Sequence, residues 1–533
     1  MMLSKENDRA ATAVAATGAR TRGASRVGWF FLIAIACGLV WRVARLGMHF
    51  ELTGDEAGIM RSIIERDYRG LLDPLSYANV SPPLFLWLTK FIDSLFQSDW
   101  AARMAPFLAG IGSVGMFWLI CRDALRGTAR WIALAVFCVS YVPVVEGTRT
   151  KGYTIDLLAA TMVLWLTLQW VLGGGKARYL VWLALCAPVF IWLSYTSVFV
   201  IGAAGLILAA GFIKRGVSSK GASADGAGIG RQNMLAGLAL AAGAAVSAAL
   251  LYQMNIRPGL QASQTNGLAT CWRAGYPQLN QPWKIPWWLL RVHTGRGFAW
   301  PIGDDHFGST LTFLLWLTGL VVYRRRGNRW VWALFVAPQL VALAAAFANK
   351  YPYLQNPRIC LFLGPGICLF VGAGTHYLIS RFGRNPRRAL YCGTALALMA
   401  CALGGLGRDI ALRIREIKGP GIRSTLVEAS RLAGPDGQFV VLNDDDASWV
   451  FAYYIKRLIS QPVWWHGQMP AQTGPGTKLA LVVVGPTEAN PQANPLVAQF
   501  EKRFPRPLAV RWSQVAHQVL LDNKETIAVW VCE

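Results

Sequence analysis

Along this 533-residue chain the apolar positions gather in long unbroken runs instead of recurring at every third or fourth place. Helical spacing would mark a soluble helix with one buried face, whereas a continuous run has no polar face and belongs in a membrane. Bilayer hydrocarbon takes about 20 residues of helix, and 27–47, 235–254 and 359–380 come near that length. Further runs over 102–121, 131–146, 153–172, 178–194, 196–213, 308–323, 330–348 and 389–407 predict about eleven spans in all. One apolar run is set apart: 82–97 is short, opens on Pro82-Pro83, and places Lys90 and Asp93 where a span would have its centre. It is expected to lie along the membrane surface as a helix.

Basic residues orient the spans, because short cytoplasmic loops accumulate Lys and Arg. With 82–97 left uncrossed and the N-terminus inside, the inner loops hold Arg122, Arg126 and Arg130, then Lys176 and Arg178, then Lys214, Arg215, Lys220 and Arg231. Two more inner loops hold Arg324, Arg325, Arg326 and Arg329, and Arg381, Arg384, Arg387 and Arg388. The short outer loops keep only Arg149, Lys151, Lys350 and Arg358. Letting 82–97 cross would invert this order. Residues 1–26, rich in Ala, Thr, Gly and Arg, then read as a disordered cytoplasmic tail, followed by an uncleaved anchor. A transmembrane domain covers 27–407, with outer loops 48–101 (bearing surface helices) and 255–307. Residues 408–533 form an outer tail whose strand-like runs (Phe439–Leu442, Leu479–Val484, Val519–Leu521, Ile527–Val531) alternate with a helix-like stretch from Ala447 to Leu458. The expected fold class is a polytopic α-helical membrane protein of the bacterial inner membrane with a small extracytoplasmic C-terminal α/β domain.

Composition agrees: 54% of residues are hydrophobic. A net charge of +24 could suggest nucleic acid, but the cations sit in clusters between apolar runs, where topology accounts for them. The ten cysteines show no CxxC pair and no metal-ligand spacing, and Cys37, Cys138 and Cys368 lie inside apolar runs as small core residues. Only Cys271 and Cys532 fall clearly outside, and a disulfide and two free thiols both stay open for them. There is no internal repeat, which gives little support to an inverted-repeat transporter.

Acids beside a membrane need a reason. The first outer loop carries Glu51-Leu-Thr-Gly-Asp55-Glu56-Ala57, with Arg42 and Arg45 at the outer end of the span before it. An amphipathic run to about Tyr68 follows, so both acids fall in the first turn of a surface helix, near its positive end. A catalytic pair and a solvated capping pair both fit. The second outer loop, Glu146-Gly-Thr-Arg149-Thr-Lys151-Gly-Tyr153-Thr-Ile-Asp156, retains two cations on the side where short loops usually lack them, as an anionic lipid phosphate would require. Contact with ordinary headgroups fits as well. Asp156 enters the first turn of a span, where an unpaired acid is costly; a functional acid and a salt bridge to Arg149 or Lys151 are both open. The segment Asn349-Lys350-Tyr351-Pro352-Tyr353-Leu354-Gln355-Asn356-Pro357-Arg358 offers another cation framed by aromatics.

The acid pair just past the first span, then Ser81-Pro82-Pro83-Leu84-Phe85, then Arg103-Met-Ala-Pro106 leading into the next span, resemble the GT-C superfamily of polyprenyl-phosphate-sugar-dependent glycosyltransferases. The branch is that of the protein O-mannosyltransferases and the lipid A aminoarabinose transferase, and the resemblance covers about 27–380 in arrangement. It implies an enzyme that moves a monosaccharide from a polyprenyl-phosphate carrier to a lipid, glycan or protein acceptor at the outer face of the inner membrane. In that reading Asp55 is the catalytic base, Glu56 orients it or the acceptor, and Asp156 is a second functional acid. Arg149, Lys151 and Arg358 bind the donor phosphate, while Tyr153, Tyr351 and Tyr353 contact substrate. Attack opposite the phosphate would invert the anomeric centre.

Trp287-Trp288 is followed by Leu289, which argues against an oligosaccharyltransferase that reads sequons. Trp272, Trp283, Trp287, Trp288 and Trp300 fit sugar stacking or membrane contact, with an interfacial belt as the default, and His293 and His306 read as polar loop residues. Asp444-Asp445-Asp446 reads as a strand-end turn capping a helix. No metal site and no organic cofactor are implied; the first loop has no D-x-D, and a divalent cation stays open. The rival from another class is a lipid or sugar transporter or flippase of the inner membrane. It predicts acids spread through the spans, which hold almost none besides Asp156.

Overall fold

The computed structural model describes residues 31–75, 79–218, 227–265, 272–300, 307–381, 393, 399–400, 403–411, 422–441, 446–459, 461–465, 479–485, 512–519 and 526–532. The expectations for the 1–26 tail, for Cys271, His306, Asp444 and Asp445, for most of the 389–407 span and for the Cys532 side chain lie outside them. The chain divides into two compact units, one drawn from residues 1–47, 81–89 and 103–408, the other from 48–80, 90–102 and 409–533.

The first unit is helical. Among the described residues six helices are long and apolar enough to cross a membrane: Asp99–Ala124, Tyr153–Leu172, Ser197–Lys214, Gly230–Gln261, Arg329–Phe347 and Leu361–Arg381. Two shorter apolar helices cover Ala129–Val139 and Ala177–Leu193. Helix α1 occupies 31–47. Further helices of the chain are α2 (Gly54–Glu65), α3 (Pro83–Phe96), α4 (Asp99–Ala102), α5 (Met104–Ala124), α6 (Ala129–Val139), α7 (Tyr141–Glu146), α8 (Tyr153–Leu172), α9 (Ala177–Leu193), α10 (Ser197–Ser218), α11 (Ala227–Leu251), α12 (Arg257–Thr265), α13 (Ile285–Thr294), α14 (Phe307–Arg326), α15 (Arg329–Phe347) and α16 (Gly364–Arg381).

The expected span 131–146 is not one helix. It breaks at Ser140, whose backbone turns extended between α6 and α7. Pro143 has no N–H to offer the carbonyl of Val139, so the helical ladder fails there. The break leaves the Cys138 carbonyl without its helical partner, and Arg42 supplies the donor. Its guanidinium reaches Cys138 O at 3.0 Å and Pro143 O at 2.9 Å. Gly38, one turn earlier on α1, makes the approach feasible: a Cβ there would stand 2.8 Å from that same carbonyl oxygen. Replacing Arg42 by Met keeps the length of the side chain but strands a buried carbonyl. A loss of about 2 kcal/mol is expected, read as a lower unfolding midpoint in detergent; an unchanged midpoint would contradict the assignment.

Small residues bring other helices together as closely. A Cβ built on Gly319 of α14 would overlap the Phe370 carbonyl of α16, and one on Gly374 would overlap the Leu315 carbonyl of α14. Without a hydrophobic driving force in lipid, such backbone-to-backbone packing holds helices in contact.

The second unit contains α2, the later turns of α3, α4, α17 (Ile422–Ala433), α18 (Asp446–Leu458) and a five-stranded sheet. The strands are β1 (Gln438–Val441), β2 (Val463–Trp465), β3 (Leu479–Gly485), β4 (Trp512–Val519) and β5 (Thr526–Cys532), in the order β2-β1-β3-β5-β4. β1 runs parallel to both neighbours, and β5 antiparallel to both of its own. Of the strand expected at Val519–Leu521, Val519 belongs to β4 at the edge of the sheet, and 520–521 lie outside the described residues. The three-residue β2 was not foreseen, being shorter than any run that alternation can flag.

Helix α3 shows why 82–97 carries charge. Leu88, Phe91, Leu95 and Phe96 are exposed, and Leu88, Phe91 and Leu95 share one face at helical spacing. Within the second unit Lys90 Nζ donates to the Ile63 carbonyl at 2.7 Å, near the end of α2. Arg457 holds both Asp93 oxygens, at 2.6 and 3.2 Å.

Candidate functional site

In the second unit Asp55 and Glu56 open α2, as expected, but their settings differ. Glu56 is buried at 1% exposure, and its Oε2 accepts from the Thr53 N–H and the Thr53 hydroxyl, each at 3.0 Å. Thr53-x-x-Glu56 is thus a capping box. Asp55, the second residue of the helix, is exposed. Glu56 therefore shapes the helix start, and Asp55 is exposed in the first turn, near the helix's positive end.

In the first unit the segment 146–156 joins α7 to α8. Glu146 is buried, and Arg149 reaches its Oε1 at 3.3 Å. Arg45 donates to the Thr148 hydroxyl, anchoring the turn to α1. Lys151 is 7% exposed. Asp156 lies in the first turn of α8, and its partners are hydroxyls: it accepts side-chain hydrogen bonds from Ser194 and Thr196 in the turn between α9 and α10. Arg149, one of the cations considered for Asp156, meets Glu146.

That turn was not singled out from the sequence. Ser194 and Thr196 are buried, and Tyr195 between them reaches the Ser81 carbonyl at 2.8 Å and also contacts the Asn255 amide. The phenol is the donor in both contacts, and its one proton is shared between the Ser81 carbonyl and the Asn255 amide oxygen. Burial raises the Tyr195 phenol above its ordinary range, and the charge of Asp156 adds to this. The available signal was a polar Ser-Tyr-Thr triplet between two apolar runs, which composition alone reads as a loop.

Arg358 sits 5.9 Å from the centre of the Tyr153 ring, so the structure brings these two expected residues together. Tyr351 donates to the Ile359 carbonyl at 2.7 Å and packs on Phe199 at 4.8 Å. Tyr353 is 2% exposed, and its hydroxyl lies 3.2 Å from His293 Nε2. His293 in turn has Nδ1 at 2.8 Å from the Leu289 carbonyl. Burial lowers the His293 pKa, so the neutral ring donates from Nδ1 and accepts at Nε2. His293 is therefore no plain loop residue. It stands among Phe298, Phe313, Trp316 and Tyr353, and this core fixes the 349–358 segment. Tyr353 is placed for packing, and its burial leaves little of it for a substrate to touch. Among the described residues no three His, Cys, Asp or Glu side chains gather to hold a metal.

Residues 80–229 match the family model described as dolichyl-phosphate-mannose-protein mannosyltransferase. The structure is similar to the crystal structure of ArnT from Cupriavidus metallidurans bound to undecaprenyl phosphate, at 14% identity, covering 94% of this chain and 98% of that one with a TM-score of 0.50. Against the apo state of the same protein the identity is 14%, the coverage 95% and 98%, and the TM-score 0.51. The chain has a GT-C-type fold. Comparison of the sequence with curated proteins gives no significant match. The matched stretch of the GT-C-type fold contains the Ser81-Pro82-Pro83 segment, the 146–156 turn with Asp156, and the hydroxyl-bearing turn at 194–196.

Proposed function

We propose that the protein transfers a monosaccharide from a polyprenyl-phosphate carrier to an acceptor at the outer face of the bacterial inner membrane, with inversion and with Asp55 as the base. The observation that carries this reading is the division of labour at the start of α2, where Glu56 is engaged in the cap and Asp55 is exposed. An acceptor hydroxyl attacks the anomeric carbon opposite the phosphate and gives its proton to Asp55, while the anomeric carbon–oxygen bond breaks and polyprenyl phosphate departs. Arg358, beside Tyr153, is the cation assigned to the departing phosphate, with Lys151 supporting it. Arg149 is assigned to the same phosphate while anchored by Glu146. Asp156 is the second functional acid.

The lipid carrier is supported by the topology, since cytoplasmic nucleotide sugars do not reach an outer site, and by the undecaprenyl phosphate bound to the structurally similar ArnT. The clustering of basic residues in alternate loops supports a cytoplasmic N-terminus and an outer location for residues 408–533. The exposed apolar face of α3 fits a helix lying at the outer surface. Undecaprenyl phosphate should bind the purified protein one to one, and Arg358→Ala should weaken it about tenfold or more. Binding that is absent from the wild type, or indifferent to Arg358, would overturn the donor assignment.

A further inference from the structure

Residues 51–56 lead the chain into α2, and the C-terminal part of the same unit grips them. The Leu52 N–H donates to the Tyr454 hydroxyl at 3.0 Å, and Glu51 Oε1 accepts from the Arg423 N–H at 2.7 Å. Leu52 and Tyr454 are buried, so water is no ready substitute for that bond. Leu52 precedes the capping residue Thr53, so its amide has no partner within the helix. The next amide, Thr53, is held by Glu56. Two successive amides just before Asp55 are therefore fixed by side-chain oxygens, one of which comes from α18.

Tyr454 is itself held. Tyr453 packs edge-on at 5.1 Å, and the Arg423 guanidinium lies 5.6 Å from the Tyr454 ring centre. Arg423 also reaches Asp99 Oδ2 at 2.7 Å, and the Tyr453 hydroxyl donates to Asp99. Arg457 pairs with Asp93 at 2.6 Å, and Lys456 with Glu65 at the far end of α2 at 3.5 Å. Four acids of the first outer loop thus meet groups of the C-terminal segment. A Phe at 454 would fill nearly the same volume. Beyond that volume, the hydroxyl accepts the bond from the backbone three residues before Asp55.

We propose that Tyr454, together with the Arg423 backbone, is a positioning residue for Asp55: the C-terminal segment sets where α2 begins and hence where that carboxylate stands. The inference rests on the glycosyltransferase reading. Its test compares the full-length wild type with Tyr454→Phe, using Lys456→Ala as a control at the same interface, by amide hydrogen exchange over residues 50–57 and by steady-state sugar transfer. Exchange there should run about tenfold faster in Tyr454→Phe and stay unchanged in Lys456→Ala. Transfer by Tyr454→Phe should show kcat lowered about tenfold at an unchanged donor KM. Transfer by the wild type with unaltered exchange in Tyr454→Phe overturns the proposal alone, as does faster exchange with unaltered kcat. Absence of transfer by the wild type overturns the glycosyltransferase reading and the proposal with it.

Discussion

Asp55→Asn should leave the protein folded and lower sugar transfer by about 10²- to 10⁴-fold, the range expected when a positioned general base is lost. Asn has nearly the same shape as Asp but cannot take up the acceptor proton. The helix start should not suffer, because Thr53 and Glu56 form the capping box without Asp55. Glu56→Gln is the informative contrast: a Gln still closes the box, so activity should stay within severalfold of wild type. Measuring kcat beside the unfolding midpoint separates the cases. If Asp55→Asn loses stability and activity together, its role is structural; if Glu56→Gln is the more damaged enzyme, the two assignments must be exchanged.

The largest effect on folding is expected at Gly319. Its missing side chain lets α14 lie directly on α16, where a Cβ would overlap the Phe370 carbonyl and come within 2.9 Å of the Gly374 amide nitrogen. Those atoms are backbone of a packed helix and cannot rotate aside. Gly319→Ala should cost about 3 kcal/mol or more, and Gly319→Leu should prevent recovery of folded protein. Gly115 of α5 is the counterpart, since a Cβ there meets nothing within 4 Å. Gly115→Ala should be neutral or slightly stabilising, because it removes unfolded-state freedom at no steric cost. Yield of monodisperse protein and its unfolding midpoint in detergent decide the matter; equal behaviour of Gly319→Ala and Gly115→Ala would refute the close packing.

What the sequence displayed and what it hid follow from the range of the interactions. Apolar runs such as 153–172 and 330–348 are local signals, and their helices, Tyr153–Leu172 and Arg329–Phe347, lie where the runs placed them. The break at Ser140 was within reach, since Pro143 removes a ladder donor, but an unbroken apolar run outweighs one proline in a count of spans. The acid pair Asp55-Glu56 was visible as a pair, and the spacing Thr53-x-x-Glu56 is itself a local capping-box signal that marks Glu56 as the capping acid. The hydroxyls of Ser194 and Thr196 meet Asp156 from a turn about forty residues away in sequence, a distance at which periodicity carries no information. Tyr454 and Leu52 are 402 positions apart. The acids at 51, 65, 93 and 99 and the groups that meet them in the C-terminal segment could be noted separately, but not matched.

The most direct test of the central claim is transfer of labelled sugar from a panel of polyprenyl-phosphate monosaccharides by membranes that carry the wild-type protein and native acceptors. One donor is expected to give labelled product with the anomeric configuration inverted and to release polyprenyl phosphate. No transfer from any donor, or product with retained configuration, would contradict the claim.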